Sequence, residues 1–158
     1  MTLIKSISGI RGTIGGKPNN NLTPIDIVES TAAYGSWLIS NFKNEKVKVV
    51  IGRDARISGQ MVENLCIGTL QSLGIDVVNL GLSTTPTVEI AVPMEKAHGG
   101  IILTASHNPK EWNALKLLNN KGEFISAEDG QLLLEIIKKN DFNFCEVDMI
   151  GKVIEDQT

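Results

Sequence analysis

The residues best suited to chemistry in this chain are a serine and a histidine that follow a short apolar run. Gly99-Gly100-Ile101-Ile102-Leu103 leads directly into Thr104-Ala105-Ser106-His107-Asn108-Pro109. Ile101 to Leu103 has the character of a buried strand, and Gly99-Gly100 breaks the segment before it. Asn-Pro marks a turn, because proline pushes the residue before it out of the helical region. Ser106 is therefore expected on a tight loop at a strand end, where a rigid sheet can hold a reactive group. Taken alone, these residues also suit an ordinary turn, with Ser106 and Asn108 bonded to the local backbone. A serine hydrolase is disfavoured, since no glycines flank the serine as a nucleophile elbow requires. Neighbouring Ser and His also seldom face each other as nucleophile and base.

Other candidates lie outside this loop. Ser8-Gly9-Ile10-Arg11-Gly12-Thr13-Ile14-Gly15-Gly16 combines four glycines with Arg11, whose planar guanidinium suits phosphate. It lacks the Gly-Lys-Ser/Thr end of a Walker loop, and by spacing alone it reads as a flexible hairpin with a solvated arginine. Gly52-Arg53-Asp54-Ala55-Arg56-Ile57-Ser58-Gly59 reads as a surface turn with an Arg–Asp pair, in which Ser58 caps the next helix. Lys116, in Trp112-Asn113-Ala114-Leu115-Lys116-Leu117-Leu118, reads by itself as a solvated strand lysine.

Together these stretches resemble one family. Thr104-Ala105-Ser106-His107-Asn108-Pro109, with Asn113 and Lys116 after it, resembles the active-site loop of the α-D-phosphohexomutases. These are the phosphoglucomutases, phosphomannomutases and phosphoglucosamine mutases. Ser8-Gly9-Ile10-Arg11-Gly12 resembles their N-terminal signature, residues 52–59 their Gly-Arg-Asp-x-Arg-x-Ser-Gly motif, and Gly81 to Pro86 their Gly-x-x-x-Thr-Pro turn. The resemblance covers about residues 3–140 and corresponds to the first of four domains. It implies a phosphoserine at Ser106 that exchanges its phosphoryl group with a hexose phosphate through a bisphosphate, interconverting hexose 1-phosphate and hexose 6-phosphate. Arg11 and Lys116 would then balance the charge of the transferring group, with Lys116 as general acid and base. His107 and Asn108 would orient the phosphoryl oxygens or the sugar hydroxyl. Arg53, Asp54 and Arg56 would support the loop. Mg²⁺ would touch this chain only through the phosphate on Ser106, because the family's Asp-Gly-Asp-x-Asp-Arg metal loop is absent. The expected partners are a hexose phosphate substrate and the remaining domains of the same enzyme, and the isolated chain is expected to show little turnover. The alternatives are a phosphoglucosamine mutase domain, a non-catalytic sugar-phosphate-binding module, and a structural domain in which Ser106 is a turn residue. One position departs from the family's Asn-Gly-x-Lys: Ala114 stands where glycine is usual, which bears on the aim of Lys116.

Composition is consistent with such a domain. The 158 residues are enough for one core, and 42% apolar with 21% charged residues marks a globular chain. A net charge of −3 without a basic block argues against nucleic acid as the main partner. No apolar run is long enough for a membrane span, and the N-terminus lacks a signal-peptide core. Cys66 and Cys145 lie far apart, without metal-ligand spacing, and read as reduced thiols in a cytoplasmic protein.

The elements that must position these residues alternate between strand and helix. Residues 3–17 read as an irregular strand and loop. A helix is expected from Thr23 to near Asn41, with Pro24 in its first turn and Ile25, Val28, Ala32 and Ile39 on its inner face, and Trp37 at the core edge. Strands are expected at 46–51, 75–80, 101–103 and 112–118. Helices are expected at 60–73, with Val62, Cys66, Thr69 or Leu70, and Leu73 inward and Gly74 ending it, and at 86–96 with Thr85 as cap. A last helix should run from Ser126 to about Asn140, burying Leu132, Leu133, Ile136 and Ile137. The fold expected is α/β, a three-layer α/β/α sandwich with a mixed sheet of about four strands. The strands carrying Leu103 and Lys116 should be antiparallel, since no crossover helix fits between them. Residues 1–140 are expected to form the domain and 141–158 the start of a linker to a further one.

Overall fold

The computed structural model describes residues 1–6 and 9–156. Ser8, quoted with the Arg11 motif, lies outside the described residues. A hairpin opens the chain, β1 (Ile4–Ser6) and β2 (Gly9–Thr13), followed by α1 (Pro24–Asn41) and β3 (Lys48–Arg53). Then come α2 (Gly59–Ser72), β4 (Asp76–Leu82), α3 (Thr85–Met94), β5 (Gly99–Leu103) and β6 (Trp112–Leu118). The chain closes with α4 (Ala127–Lys139), one 3₁₀ turn at Val147–Met149 and β7 (Val153–Glu155).

Among the described residues, all seven strands join one mixed sheet in the order β1-β2-β6-β5-β3-β4-β7. Strands β5, β3, β4 and β7 are mutually parallel, while β6 runs antiparallel to both β5 and β2. The α/β class, the mixed sheet and the antiparallel β5–β6 pair are as expected. The strand number is not: the sheet has seven strands rather than about four. The additions are β1, β2 and β7. Two of them hold only three residues, and β2 contains Gly9 and Gly12, so none carries a clear apolar alternation. Two of their ladders come from partners distant in sequence, β2 along β6 and β7 along β4 (Val77 opposite Val153), while β1 pairs with the adjacent β2.

Alternation along the strands separates two apolar clusters. Val49, Ile51, Val77, Ile101, Leu103, Leu115 and Leu117 share one cluster with Ile27, Leu38, Val62, Cys66, Leu70 and Leu133 from α1, α2 and α4. Val50, Val78, Leu80, Ile102 and Leu118 share the other with Val88 and Val92 of α3.

Helix ends follow the capping residues closely. Thr23 and Asp26 form a capping box at the start of α1, Ser126 accepts from the Asp129 N–H at the start of α4, and Asn140 ends α4 in the left-handed region. Gly74, at φ 83°, follows α2 as its C′ residue. Three expectations change. The inner face of α1 is partly turned from the one expected: Ala32 and Trp37 are buried as expected, but Ile27, Ala33, Tyr34 and Leu38 complete the face, whereas Ile25 and Ile39 are exposed. This helix touches α2 and α4 as well as the sheet, so its buried arc is wide and includes polar and small residues that an apolar stripe does not reveal. Helix α3 is capped by Thr84, not Thr85, and Leu132 of α4 is exposed.

Gly99-Gly100 also does not interrupt a segment; it opens β5. The Tyr34 hydroxyl from α1 reaches through the core, accepts the Gly100 N–H at 2.9 Å and donates to the Leu118 carbonyl. A Cβ on Gly99 would collide with that hydroxyl, and one on Gly100 would lie 2.7 Å from a Val92 methyl. Among the described residues, no helix is long and apolar enough to cross a membrane.

Candidate functional site

Strand β5 ends at Leu103, and its antiparallel neighbour β6 returns with Leu115 opposite Leu103 and Lys116 opposite Ile102. The loop between them, 104–111, is the Ser106 loop. Because side chains alternate, Leu115 and Leu117 enter the larger core while Lys116 emerges on the α3 side of the sheet, at the end where the loop begins. Its Nζ donates to the Ser106 Oγ at 2.7 Å. Ser106 has φ 55°, in the left-handed region that a serine occupies only at a cost. Its side chain is exposed, and its N–H is held by the Thr104 Oγ1 at 3.0 Å.

The conformation is held from outside the loop by Arg56. Its Nη1 donates to the carbonyls of Pro109 (2.7 Å) and Trp112 (3.1 Å), and its Nη2 to those of Ser106 (2.9 Å) and Asn108 (2.8 Å). A rigid fork of donors suits four converging carbonyls, three from the loop and one from Trp112 at the start of β6. The Arg56 Nε donates to the Asp54 Oδ2 at 3.3 Å, and the same carboxylate accepts the Thr104 hydroxyl at 2.6 Å. The Asp54 N–H donates to the Leu103 carbonyl at 3.1 Å, extending the β3–β5 ladder into the turn. Arg53 instead turns toward α2, where its Nε donates to the Glu63 Oε2 at 2.7 Å.

Asn113 is fully buried between these parts. Its Nδ2 donates to the Ser58 Oγ at 2.9 Å, and its Oδ1 accepts the Ala114 N–H at 2.8 Å. Ser58 stands at the start of α2 but makes no side-chain cap there; its hydroxyl serves Asn113, which corrects its expected capping role. Ala114 lies in regular strand opposite Arg11, without positive φ, so alanine in place of glycine leaves the aim of Lys116 intact.

Arg11 is exposed on β2 and sits two register positions from Lys116 on the same sheet face, and both line a cavity of about 130 Å³. The structure thus brings together Ser106, Lys116, Arg56, Asp54 and, across the β2–β6 pair, Arg11. Asn108 takes part through its backbone: its carbonyl accepts from Arg56 and its N–H donates to Ala105. The side chains of His107 and Arg11 make no hydrogen bond to another described residue, and both are exposed. Sequence reasoning did not single out Glu63 or Asn79, the buried pair behind Arg53. Nothing in their spacing distinguishes them from the solvated polar residues of a helix and a strand.

Among the described residues, no group of three or more His, Cys, Asp or Glu side chains could hold a metal ion. Asp54, the carboxylate beside the loop, is committed to Thr104 and Arg56. The arrangement suits a group transferred to and from the Ser106 Oγ, with an ammonium on the bridging oxygen and a guanidinium on the same face.

The family model described as phosphoglucomutase/phosphomannomutase, alpha/beta/alpha domain I, matches residues 3–144. A phosphoglucomutase/phosphomannomutase from Thermococcus kodakarensis is 35% identical over 144 residues, covering 90% of this chain and 31% of that protein. A phosphoglucosamine mutase from Streptococcus pyogenes is 40% identical over 128 residues, covering 80% of this chain and 28% of that one. The crystal structure of a phosphoglucomutase/phosphomannomutase family protein from Burkholderia thailandensis superposes with a TM-score of 0.81 over 96% of this chain and 32% of the other, at 24% identity, and shows the same fold. The chain therefore spans about a third of the length of these relatives. With the match running through almost the whole chain, this protein belongs to the phosphoglucomutase/phosphomannomutase family as its α/β/α domain I.

Proposed function

We propose that this chain is the phosphoryl-carrying domain of a hexose-phosphate mutase, with Ser106 as the residue that bears the phosphoryl group. The observation that carries the reading is the 2.7 Å contact between Lys116 Nζ and Ser106 Oγ, on a loop that Arg56 clasps at three of its carbonyls and at Trp112 just beyond it. A phosphoserine brings close to two negative charges, so a carrier serine needs cations around it before it is loaded. Lys116 and Arg11 supply them on one face, and Arg56 fixes the backbone below.

In transfer, the P–Oγ bond of phosphorylated Ser106 breaks and a bond from phosphorus to a sugar hydroxyl oxygen forms. The hydroxyl proton passes in net to Oγ. Lys116, already donating to that oxygen, is the group placed to deliver it and, in reverse, to withdraw it. The bisphosphate so formed returns its other phosphoryl group by the same steps, which amounts to isomerisation of a hexose 1-phosphate to a hexose 6-phosphate. In this reading His107 and Asn108, neighbours of Ser106 in the chain, orient phosphoryl oxygens or the sugar hydroxyl. The described residues of this chain fit Mg²⁺ only through a phosphate oxygen on Ser106, where the ion would supply further charge neutralisation.

In this reading the domain occupies residues 1–140, and residues 141–158 begin the connection to the next domain, tied to the sheet edge through β7. Free thiols at Cys66 and Cys145 suit a cytoplasmic setting. A hexosamine phosphate is the second substrate reading, favoured by the 40% identity to a phosphoglucosamine mutase.

The test is intact-mass analysis of the chain after incubation with glucose 1,6-bisphosphate and Mg²⁺. Expected is the gain of one phosphoryl group, mapped to Ser106 and absent from the Ser106→Ala variant, with little conversion of glucose 1-phosphate. A chain that stays unmodified, or is modified elsewhere, overturns the carrier role. Sustained conversion by these 158 residues alone overturns its status as one part of a larger machine.

A further inference from the structure

We infer that Glu63 is a positioning residue for the Ser106 loop, acting through Arg53; the inference rests on the carrier reading of Ser106. Glu63 lies one turn into α2 and is only 7% exposed. A carboxylate at that depth is costly unless both oxygens are satisfied. Here they are: Oε2 accepts the Arg53 Nε at 2.7 Å, and Oε1 accepts the Asn79 Nδ2 from β4 at 3.0 Å. Asn79 is itself buried, and its Oδ1 is occupied by the Gly81 N–H at 2.9 Å. A helix and two strands thus meet at one carboxylate.

Two features separate this cluster from simple helix–sheet attachment. Arg53 continues toward the loop: its Nη1 donates to the Asp54 carbonyl at 3.3 Å. Asp54 is the residue whose N–H holds Leu103 and whose carboxylate holds Thr104 and Arg56. Thr104 in turn holds the Ser106 N–H. An unbroken chain of polar contacts therefore runs from Asn79 and Glu63 through Arg53 and Asp54 to the Ser106 backbone. The second feature is the open side of the cluster. Arg53, Glu63 and Asn79 border a cavity of about 810 Å³ whose walls are both polar (Gln60, Asn64) and apolar (Ile67, Val153), so Arg53 has open space beside it. Without the Glu63 carboxylate, its guanidinium is free to leave Asp54 for solvent.

The expected consequence is local. Losing a charged, buried partner releases Arg53 and loosens residues 104–108 while the sheet stays formed. The measurement is amide hydrogen exchange on the unaltered chain, on Glu63→Leu, on Glu63→Gln, and on Glu63→Gln combined with Asn79→Asp. The single glutamine keeps one acceptor and loses the other. In the double variant, the amide oxygen can accept from Arg53 while the amide nitrogen donates to the new carboxylate, which restores both contacts. Exchange at Ser106 and Asn108 should speed about tenfold in the single variants and recover in the double one, with Ile101 and Leu117 unchanged. Phosphoryl loading of Ser106 from glucose 1,6-bisphosphate should slow and recover in parallel. Unchanged exchange at Ser106 overturns the inference. So does a uniform increase that includes Ile101 and Leu117, which would reduce Glu63 to an attachment of α2. Failure of the unaltered chain to load counts against the carrier reading alone, because exchange reports the loop without any transfer.

Discussion

At the scale of single residues, the site depends on hydrogen-bond geometry more than on unusual chemistry. Ser106 is an ordinary hydroxyl; its left-handed backbone and the Lys116 ammonium make it distinctive. Arg56 supplies the constraint. A lysine there keeps the charge but not the planar fork, and it can satisfy only part of the carbonyl set. Arg56→Lys is expected to cost about 2 kcal/mol in urea denaturation, because loop carbonyls arranged around a charged donor lose it. The identity of Ser106, Lys116, Arg11 and Arg56 as candidates was legible in the sequence through family motifs. Their separate tasks were not. Arg53 and Arg56 lie three apart in one motif, yet one turns to α2 and the other to the loop, and spacing does not encode that difference.

At the scale of elements, the β5–β6 pair is the frame of the site, and α1 braces it from beneath. Tyr34 is the brace. It is fully buried, and burial pushes its hydroxyl well above the ordinary phenol range. It bonds the Gly100 N–H and the Leu118 carbonyl, groups of the two strands that carry the Ser106 loop and Lys116. Tyr34→Phe keeps the ring and strands those backbone groups, so a loss of about 1–3 kcal/mol is expected in thermal or urea unfolding. Most elements could be read from caps and apolar runs: Thr23 opens α1, Ser126 opens α4 and Gly74 closes α2. The full inner face of α1, the division of residues 3–17 into the paired β1 and β2, and β7 could not. Those strands are short, and they form because a neighbour offers a ladder, not because of their own propensity.

At the scale of the whole molecule, the larger core carries a titratable group with a consequence for alkaline stability. Cys66 is entirely buried against Thr31, and burial pushes its thiol from 9.0 up to about 12. In the unfolded chain the thiol ionises from about pH 9, while the folded chain keeps the proton. The stabilisation is therefore complete below pH 9 and falls as the pH rises toward 12. Unfolding free energy measured by urea titration should decline across that window. Cys66→Ala should remove about one proton from the slope while lowering stability at neutral pH by creating a small cavity. Cys145, less buried, should be the cysteine that reacts with a thiol reagent in the native state.

The amino-acid sequence by itself determined the α/β class, the antiparallel return from Leu103 to Lys116, most helix boundaries and the family with its candidate residues. These are local properties: capping residues, period-2 and helical alternation, and motifs whose residues are neighbours in the chain. Only the tertiary structure decided the seven-strand order, the clasp of Arg56 on the carbonyls of Ser106, Asn108, Pro109 and Trp112, the diversion of Ser58 from its helix to Asn113, and the route from Glu63 through Arg53 to the Ser106 loop. Each depends on where a side chain meets a partner many residues away. Such a meeting is fixed by sheet order and strand register, which linear spacing does not contain.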